Sequence, residues 1–166
     1  LIEKATAVML KVFSWSAEAF TKRVLNERIH LLHAQKLCEK AKQIGYSSKK
    51  LLQLKVCMLE CICSAMRDFE TAKIYLSEID EDLKNNFTLD PYYKALLILN
   101  RGFFESLYIP NYDKAIQHMR EGLSILVNFE GYNEEKLRAI SNLLQFYVLR
   151  GETDLAEEFV KKGQVL

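Results

Sequence analysis

Glu27, His30 and His33 are spaced so that one α-helix would gather a carboxylate and two imidazoles within about one turn. Together they could begin a metal site. A closed tetrahedral zinc site needs four ligands, and an open one needs three well-placed ones. The next turn offers only Lys36 and Leu37, followed by the thiol of Cys38. No metal role is therefore expected.

The four cysteines are Cys38, Cys57, Cys61 and Cys63. Cys57 and Cys61 share a helix face, and Cys63 points away from them. No histidine lies between residues 34 and 117 to complete a ligand set. Such spacing makes no disulfide framework and reads as buried thiols in a reducing compartment. Asp80, Glu81 and Asp82 form an acidic run near a helix end, and His118 adjoins an apolar stripe; both read as solvated surface. The chain has no P-loop, no nucleophile elbow, no HExxH and no GxGxxG. No catalytic residue, cofactor or small-molecule substrate is expected.

The bulk composition agrees with a non-enzymatic reading. In 166 residues, 49% are hydrophobic and 27% charged, enough to form a core and keep a polar surface. With only two prolines and six glycines, turns are sparse and elements long, which favours an all-α chain. Net charge is +1, but residues 1–50 carry ten Lys/Arg against four Asp/Glu, and residues 51–166 carry thirteen against eighteen. The basic set Lys22, Arg23, Arg28, Lys36, Lys40, Lys42, Lys49 and Lys50 is interleaved with apolar residues, as on solvated helix faces. A phosphate-binding patch across residues 22–50 is the alternative, although no Gly-rich loop or aromatic platform accompanies it. No uncharged apolar run approaches the ~18 residues of a membrane-spanning helix. The expected setting is intracellular, in cytoplasm or nucleus, with no membrane contact. The start at Leu1 and the end at "KKGQVL" suggest a piece of a longer protein.

The breaks that must position any site are few. Gly45 suits the left-handed position after a helix, and Ser47 or Ser48 can cap the next one. Asp90-Pro91 is a start signal, Asp as cap and Pro at the first helical position. Gly131-Tyr132-Asn133 is a linker, followed by Glu134 and Glu135 at the positive end of a helix dipole. Gly151 ends that helix. Helices are predicted near 48–66, 69–84, 91–108, 112–129, 134–150 and 153–163. The first 44 residues are predicted as helices 2–24 and 27–44 with Asn26 as cap, or else as two helices broken at Ser14–Ser16. Stripes at helical spacing support this: Phe69, Ala72, Leu76, Ile79, Leu83; Tyr112, Ala115 or Ile116, Met119, Leu123, Leu126; and Leu137, Ile140, Leu144, Tyr147. No sustained strand pattern is present.

Three turn stretches align on a small residue. Arg67-Asp68-Phe69-Glu70-Thr71-Ala72 matches Pro110-Asn111-Tyr112-Asp113-Lys114-Ala115 and Gly151-Glu152-Thr153-Asp154-Leu155-Ala156, with spacings of 43 and 41 residues. A compact polar residue serves the turn, Phe69 or Tyr112 fills the wedge between paired helices, and the Ala permits close backbone approach. The arrangement resembles the tetratricopeptide repeat family over roughly residues 48–163. Ile140, Leu143, Tyr147, Gly151 and Ala156 match that family's pattern best. The units are longer than the family's period of about 34 residues, and Leu144 and Phe103 stand where it prefers a small side chain. The family's first-helix Trp is also absent.

The resemblance implies a right-handed superhelical array of antiparallel helix pairs, an α-solenoid. Its pairs would be 47–89, 90–131 and 132–166, preceded by a degenerate pair or cap at 1–46. The first helices of such an array line a concave groove that binds a peptide or partner subunit. The expected contact residues are Asn100, Arg101 and Phe104 on one first helix, and Arg138, Ser141, Asn142 and Gln145 on the next. The amides can bond a peptide backbone, and the arginines can meet acidic side chains. The expected function is a non-catalytic protein-interaction scaffold. The alternatives are a structural array in a multisubunit complex, of the proteasome-lid or signalosome kind, and nucleic-acid contact through residues 22–50.

Overall fold

The computed structural model describes residues 1–13, 20–85, 87–107 and 111–163; side chains at 20–29, 64, 65 and 162 are left aside. Among the described residues the fold is all-helical. The helices are α1 (Ile2–Phe13), α2 (Phe20–Gln43), α3 (Lys49–Cys61), α4 (Phe69–Lys84), α5 (Pro91–Leu107), α6 (Tyr112–Leu126), α7 (Asn133–Leu149) and α8 (Thr153–Gly163). They fall into two compact units, residues 1–93 and 94–166.

In the first unit, α2 is one helix from Phe20 to Gln43 and runs straight through Asn26. The predicted cap at Asn26 is not there. An Asn inside an otherwise good helix costs only part of a kcal/mol, which packing overrides. α1 ends at Phe13, and the alternative break at Ser14–Ser16 lies outside the described residues. α2 closes as foreseen at Gly45 (φ +64°), where the Tyr46 N–H reaches back to the Ala41 carbonyl at 2.8 Å. Ser48 then caps α3 by accepting from the Leu51 N–H at 3.2 Å.

α3 is buried on every side from Leu51 to Cys61. Its run Leu51-Leu52-Gln53-Leu54-Lys55-Val56-Cys57-Met58-Leu59 has apolar side chains all around the helix, so no face is suited to water. α1, α2 and α4 all pack on it. Each fully buried Leu or Met contributes about 1.5–3 kcal/mol relative to exposure. α3 continues into one π-helical turn, Ile62–Met66, and ends at Arg67 in the left-handed conformation (φ +52°). Asp68 caps α4 with both oxygens, from the Thr71 N–H (3.1 Å) and the Thr71 hydroxyl (2.7 Å).

Helices adjacent in sequence run antiparallel, as Cys38 against Met58 and Lys55 against Asp82 require. Alternate helices run side by side in the same direction: Lys50 at the start of α3 meets Glu3 at the start of α1, and Lys42 of α2 meets Glu78 of α4. Pro91 opens α5 as predicted. Asp90, however, gives both oxygens to α3, to Lys49 Nζ and Gln53 Nε2 at 2.5 Å each.

In the second unit α5 and α6 approach closely. A Cβ on Gly102 would stand 3.0 Å from the Ala115 carbonyl, and one on Gly122 would stand 2.6 Å from Leu99 Cγ. Ala115 is the fully buried small residue expected there, as Ala72 is in α4. Tyr112 is 40% exposed, and its ring lies 5.8 Å from that of Phe146 on α7. Pro110, expected to turn the chain, lies outside the described residues; Asn111 caps α6 through the Lys114 N–H. The Lys136 ammonium donates to the Phe129 carbonyl (2.6 Å) beyond the end of α6. Arg150 closes the other end of α7 by pairing with Asp113 and, at 2.6 Å, with Glu152. α7 and α8 pair through stacked Tyr147 and Phe159, with centroids 5.5 Å apart. The buried face of α7 is Ala139, Ile140, Leu143, Phe146 and Tyr147. Leu137, assigned to that stripe by spacing, is instead exposed, and Leu144 is half-exposed.

Candidate interaction surface

The thiols are engaged in packing. All four thiols are buried and free. Cys38 donates to the Met58 sulfur at 3.8 Å. Burial, helped by the carboxylates of Glu78 and Asp82, pushes the Cys38 thiol up to about 12 against the pull of the Lys55 charge. A thiol so held is a poor nucleophile and a poor ligand. His33 is exposed and His30 half-buried, while the Glu27 side chain lies outside the described set. No group of three His, Cys, Asp or Glu among the described residues is placed to hold a metal ion. His118 is half-buried, with Nδ1 2.7 Å from Glu105 Oε2, so it joins α5 to α6.

One polar cluster escaped the sequence reading. Lys55 projects from the all-buried α3 and meets Asp82 at 2.8 Å and Glu78 at 3.4 Å, and Glu78 also holds Lys42 at 2.9 Å. Burial alone would lower the Lys55 pKa, but the bond to Asp82 and the two carboxylate charges raise it. A charge set inside a helix otherwise apolar all round was the available signal. The cluster ties α2, α3 and α4 together.

The basic stretch is likewise divided. Lys42, Lys49 and Lys50 pair with Glu78, Asp90 and Glu3. Lys36 and Lys40 are exposed on α2; Lys22, Arg23 and Arg28 fall outside the described side chains. No helix among the described residues is long and apolar enough to cross a membrane.

The seven residues expected to contact a partner separate into two groups. Asn100 is 3% exposed, and its amide donates to the Leu96 carbonyl of its own helix at 2.9 Å. Phe104 is buried as well. These two serve the interior, because the face they occupy on α5 is covered. Arg101 remains half-exposed on α5, as do Arg138 and Asn142 on α7, where Ser141 and Gln145 are exposed. Arg101 and Asn142 are equivalent positions, 41 residues apart, in the two helices. α3 is buried from Leu51 to Cys61.

The aligned turns share local geometry as well as residue type. Arg67 and Gly151 are both left-handed, and Asp68 and Asn111 both cap through the third residue on. The Asp68 N–H reaches six residues back to Ile62, and the Asn111 N–H six back to Glu105. The third turn closes one residue tighter, Glu152 to Tyr147. Compared with family models, with curated proteins and with solved structures, the chain gives no match.

Proposed function

We propose that the chain is a non-catalytic scaffold, a tetratricopeptide-like array of helix pairs at 47–89, 90–131 and 132–166 behind a degenerate pair at 1–46. It binds a peptide segment or partner subunit of another protein inside the cell. The observation that carries this reading is the recurring turn: Asp68 and Asn111, 43 residues apart, share the cap and the six-residue backbone closure, and Arg67 shares its left-handed conformation with Gly151 of the third aligned turn. Side-by-side packing of alternate helices in the first unit supports it, since stacked pairs bring first helix against first helix and second against second. The contact set narrows to Arg101 on α5 with Arg138, Ser141, Asn142 and Gln145 on α7.

The test is affinity capture with the intact protein. Arg101→Glu together with Asn142→Ala is expected to reduce recovery of a bound partner at least tenfold. Undiminished recovery with a correctly folded variant removes the groove assignment.

A structural array within a larger assembly is the second reading. Val148 (60% exposed) and Leu149 (63%) on α7 favour it, because apolar groups of this size concentrate where another protein docks. The nucleic-acid reading is weakened, because three of its eight cations already have carboxylate partners.

A further inference from the structure

Five cations of the basic stretch have described side chains, and three of them are paired: Lys42 with Glu78, Lys49 with Asp90 and Lys50 with Glu3. Lys36 and Lys40 have no carboxylate partner among the described residues, and both are exposed. They stand four residues apart on α2, with Leu32 four residues before and Ile44 four residues after. Leu32 is 56% exposed and Ile44 58%. Ile44 lies just past the end of α2 but keeps its helical bond, its N–H donating to the Lys40 carbonyl at 3.3 Å.

Steps of four make one ridge of a helix, the kind of row that packs into a groove of a second helix. The buried side of α2 is Leu31, Ala34, Cys38 and Ala41, so this ridge points away from the core of the first unit. At a rise of about 1.5 Å per residue, Leu32 and Ile44 are about 18 Å apart, with the two ammonium groups between them. Glu39 is the carboxylate nearest in sequence, and it stands on the edge toward α4, where its charge reaches Tyr75. The ridge therefore reads apolar, cation, cation, apolar, and its charge is not answered within the chain.

We infer that the Leu32–Lys36–Lys40–Ile44 ridge of α2 docks an acidic amphipathic helix of another protein. Two carboxylates one turn apart on that helix meet Lys36 and Lys40, and an apolar residue one turn beyond each covers Leu32 and Ile44. The unanswered charge sets the sign of the partner, and the spacing sets its helical form. A nucleic-acid backbone would supply the charge but leave Leu32 and Ile44 uncovered, and the ridge has no aromatic side chain to stack bases. An anionic bilayer is recognised by about four to eight clustered cations, and this ridge has two. The face lies on one helix of the first unit and does not depend on the groove proposed for α5 and α7.

The experiment titrates the intact protein against a labelled helical peptide and reads fluorescence anisotropy at low salt. The peptide carries two glutamates four residues apart, with a leucine four residues outside each. Binding is expected, and Lys36→Gln with Lys40→Gln is expected to weaken it at least fivefold. Lys73→Gln with Lys84→Gln, the same loss of charge at exposed positions of α4, is expected to leave it unchanged. Leu32→Ser is expected to weaken it at least threefold. All these variants should keep the melting temperature within about 2 °C, as exposed positions do. A peptide with glutamines in place of the glutamates tests the charge on the unaltered protein, and at least fivefold weaker binding is expected. No binding, equal loss from the α2 and α4 pairs, or equal binding of the glutamine peptide overturns the inference. So does tighter binding of oligothymidylate or of phosphatidylserine vesicles than of the acidic peptide.

Discussion

Arg67 and Gly151 stand at equivalent places in two helix-ending turns and share the left-handed backbone, with φ of +52° and +72°. Only glycine adopts that conformation without a steric cost, which for other residues is about 1–2 kcal/mol. Arg67→Gly is expected to stabilise the fold by about 0.5–1 kcal/mol, part of the relief being lost to the greater freedom of glycine when unfolded. Gly151→Ala is expected to destabilise by about 1 kcal/mol although open space surrounds the position. Urea midpoints at constant m-value measure both; shifts in the same direction would contradict the shared geometry.

Gly122 is a glycine of the other kind, set by contact instead of φ. In a solvent-facing helix Gly→Ala gains about 1 kcal/mol. Here the new methyl meets Leu99 Cγ at 2.6 Å and the Ala95 carbonyl at 3.2 Å, and Leu99 is itself buried. Overpacking of this kind costs about 1–3 kcal/mol. Gly122→Ala is therefore expected to lower the thermal midpoint, and a raised midpoint would show that α5 and α6 do not approach this closely.

The Lys55 cluster makes a prediction for acid. Burial works to raise the Glu78 carboxyl, but the bond from Lys42 and the charge of Lys55 outweigh it and hold the group below its usual 4.5. A carboxyl held lower in the folded state gives stability that is complete above its unfolded pKa and is lost as pH falls through its folded one. Stability is thus expected to be flat above about pH 5 and to decline below about pH 4.5 as Glu78 protonates. Asp90 adds to the same decline, its carboxyl lowered by the Lys49 bond against a small effect of burial. Glu78→Gln is expected to be less stable at pH 7 and to show a shallower acid limb. An acid limb identical to that of the parent protein would refute this role.

Lys55→Ala should cost about 2–3 kcal/mol, somewhat less than a fully buried pair, because Asp82 and Glu78 keep about a fifth to a quarter of their exposure. Replacing Lys55 and Asp82 together, by Met and Leu, is expected to recover most of the loss. A double-mutant cycle read by chemical denaturation gives the coupling, and additivity of the two single changes would deny the pair.

Tyr147 is 1% exposed, and its hydroxyl has no hydrogen-bond partner among the described residues, although its ring stacks on Phe159. Leaving a buried hydroxyl unsatisfied costs about 1–3 kcal/mol, while the ring contact survives its removal. Tyr147→Phe is expected to stabilise the protein by about 1 kcal/mol. A loss of stability in thermal unfolding would reveal a partner for the hydroxyl.

What the sequence by itself determined is local. Gly45 and Gly151 end helices because a left-handed residue is needed there, and Ser48, Asp68 and Asn111 cap because a short acceptor sits three residues before an orphan N–H. Most helices followed from period and punctuation. The depth of α3 was legible too, in apolar residues that surround the helix instead of lining one face.

Tertiary structure decided everything that depends on which face is covered. Asn100 and Ser141 hold the same register and are both small and polar, yet one is buried and the other exposed. Asn26 lies within an unbroken helix, Asp90 bonds Lys49 and Gln53 of α3, and Leu137 leaves its stripe for the surface. In each case the residue's own preference is worth about 1 kcal/mol or less, and burial of a neighbouring helix outweighs it. Local energies set where helices start and stop; the larger energy of covering apolar area sets which side of each helix meets water.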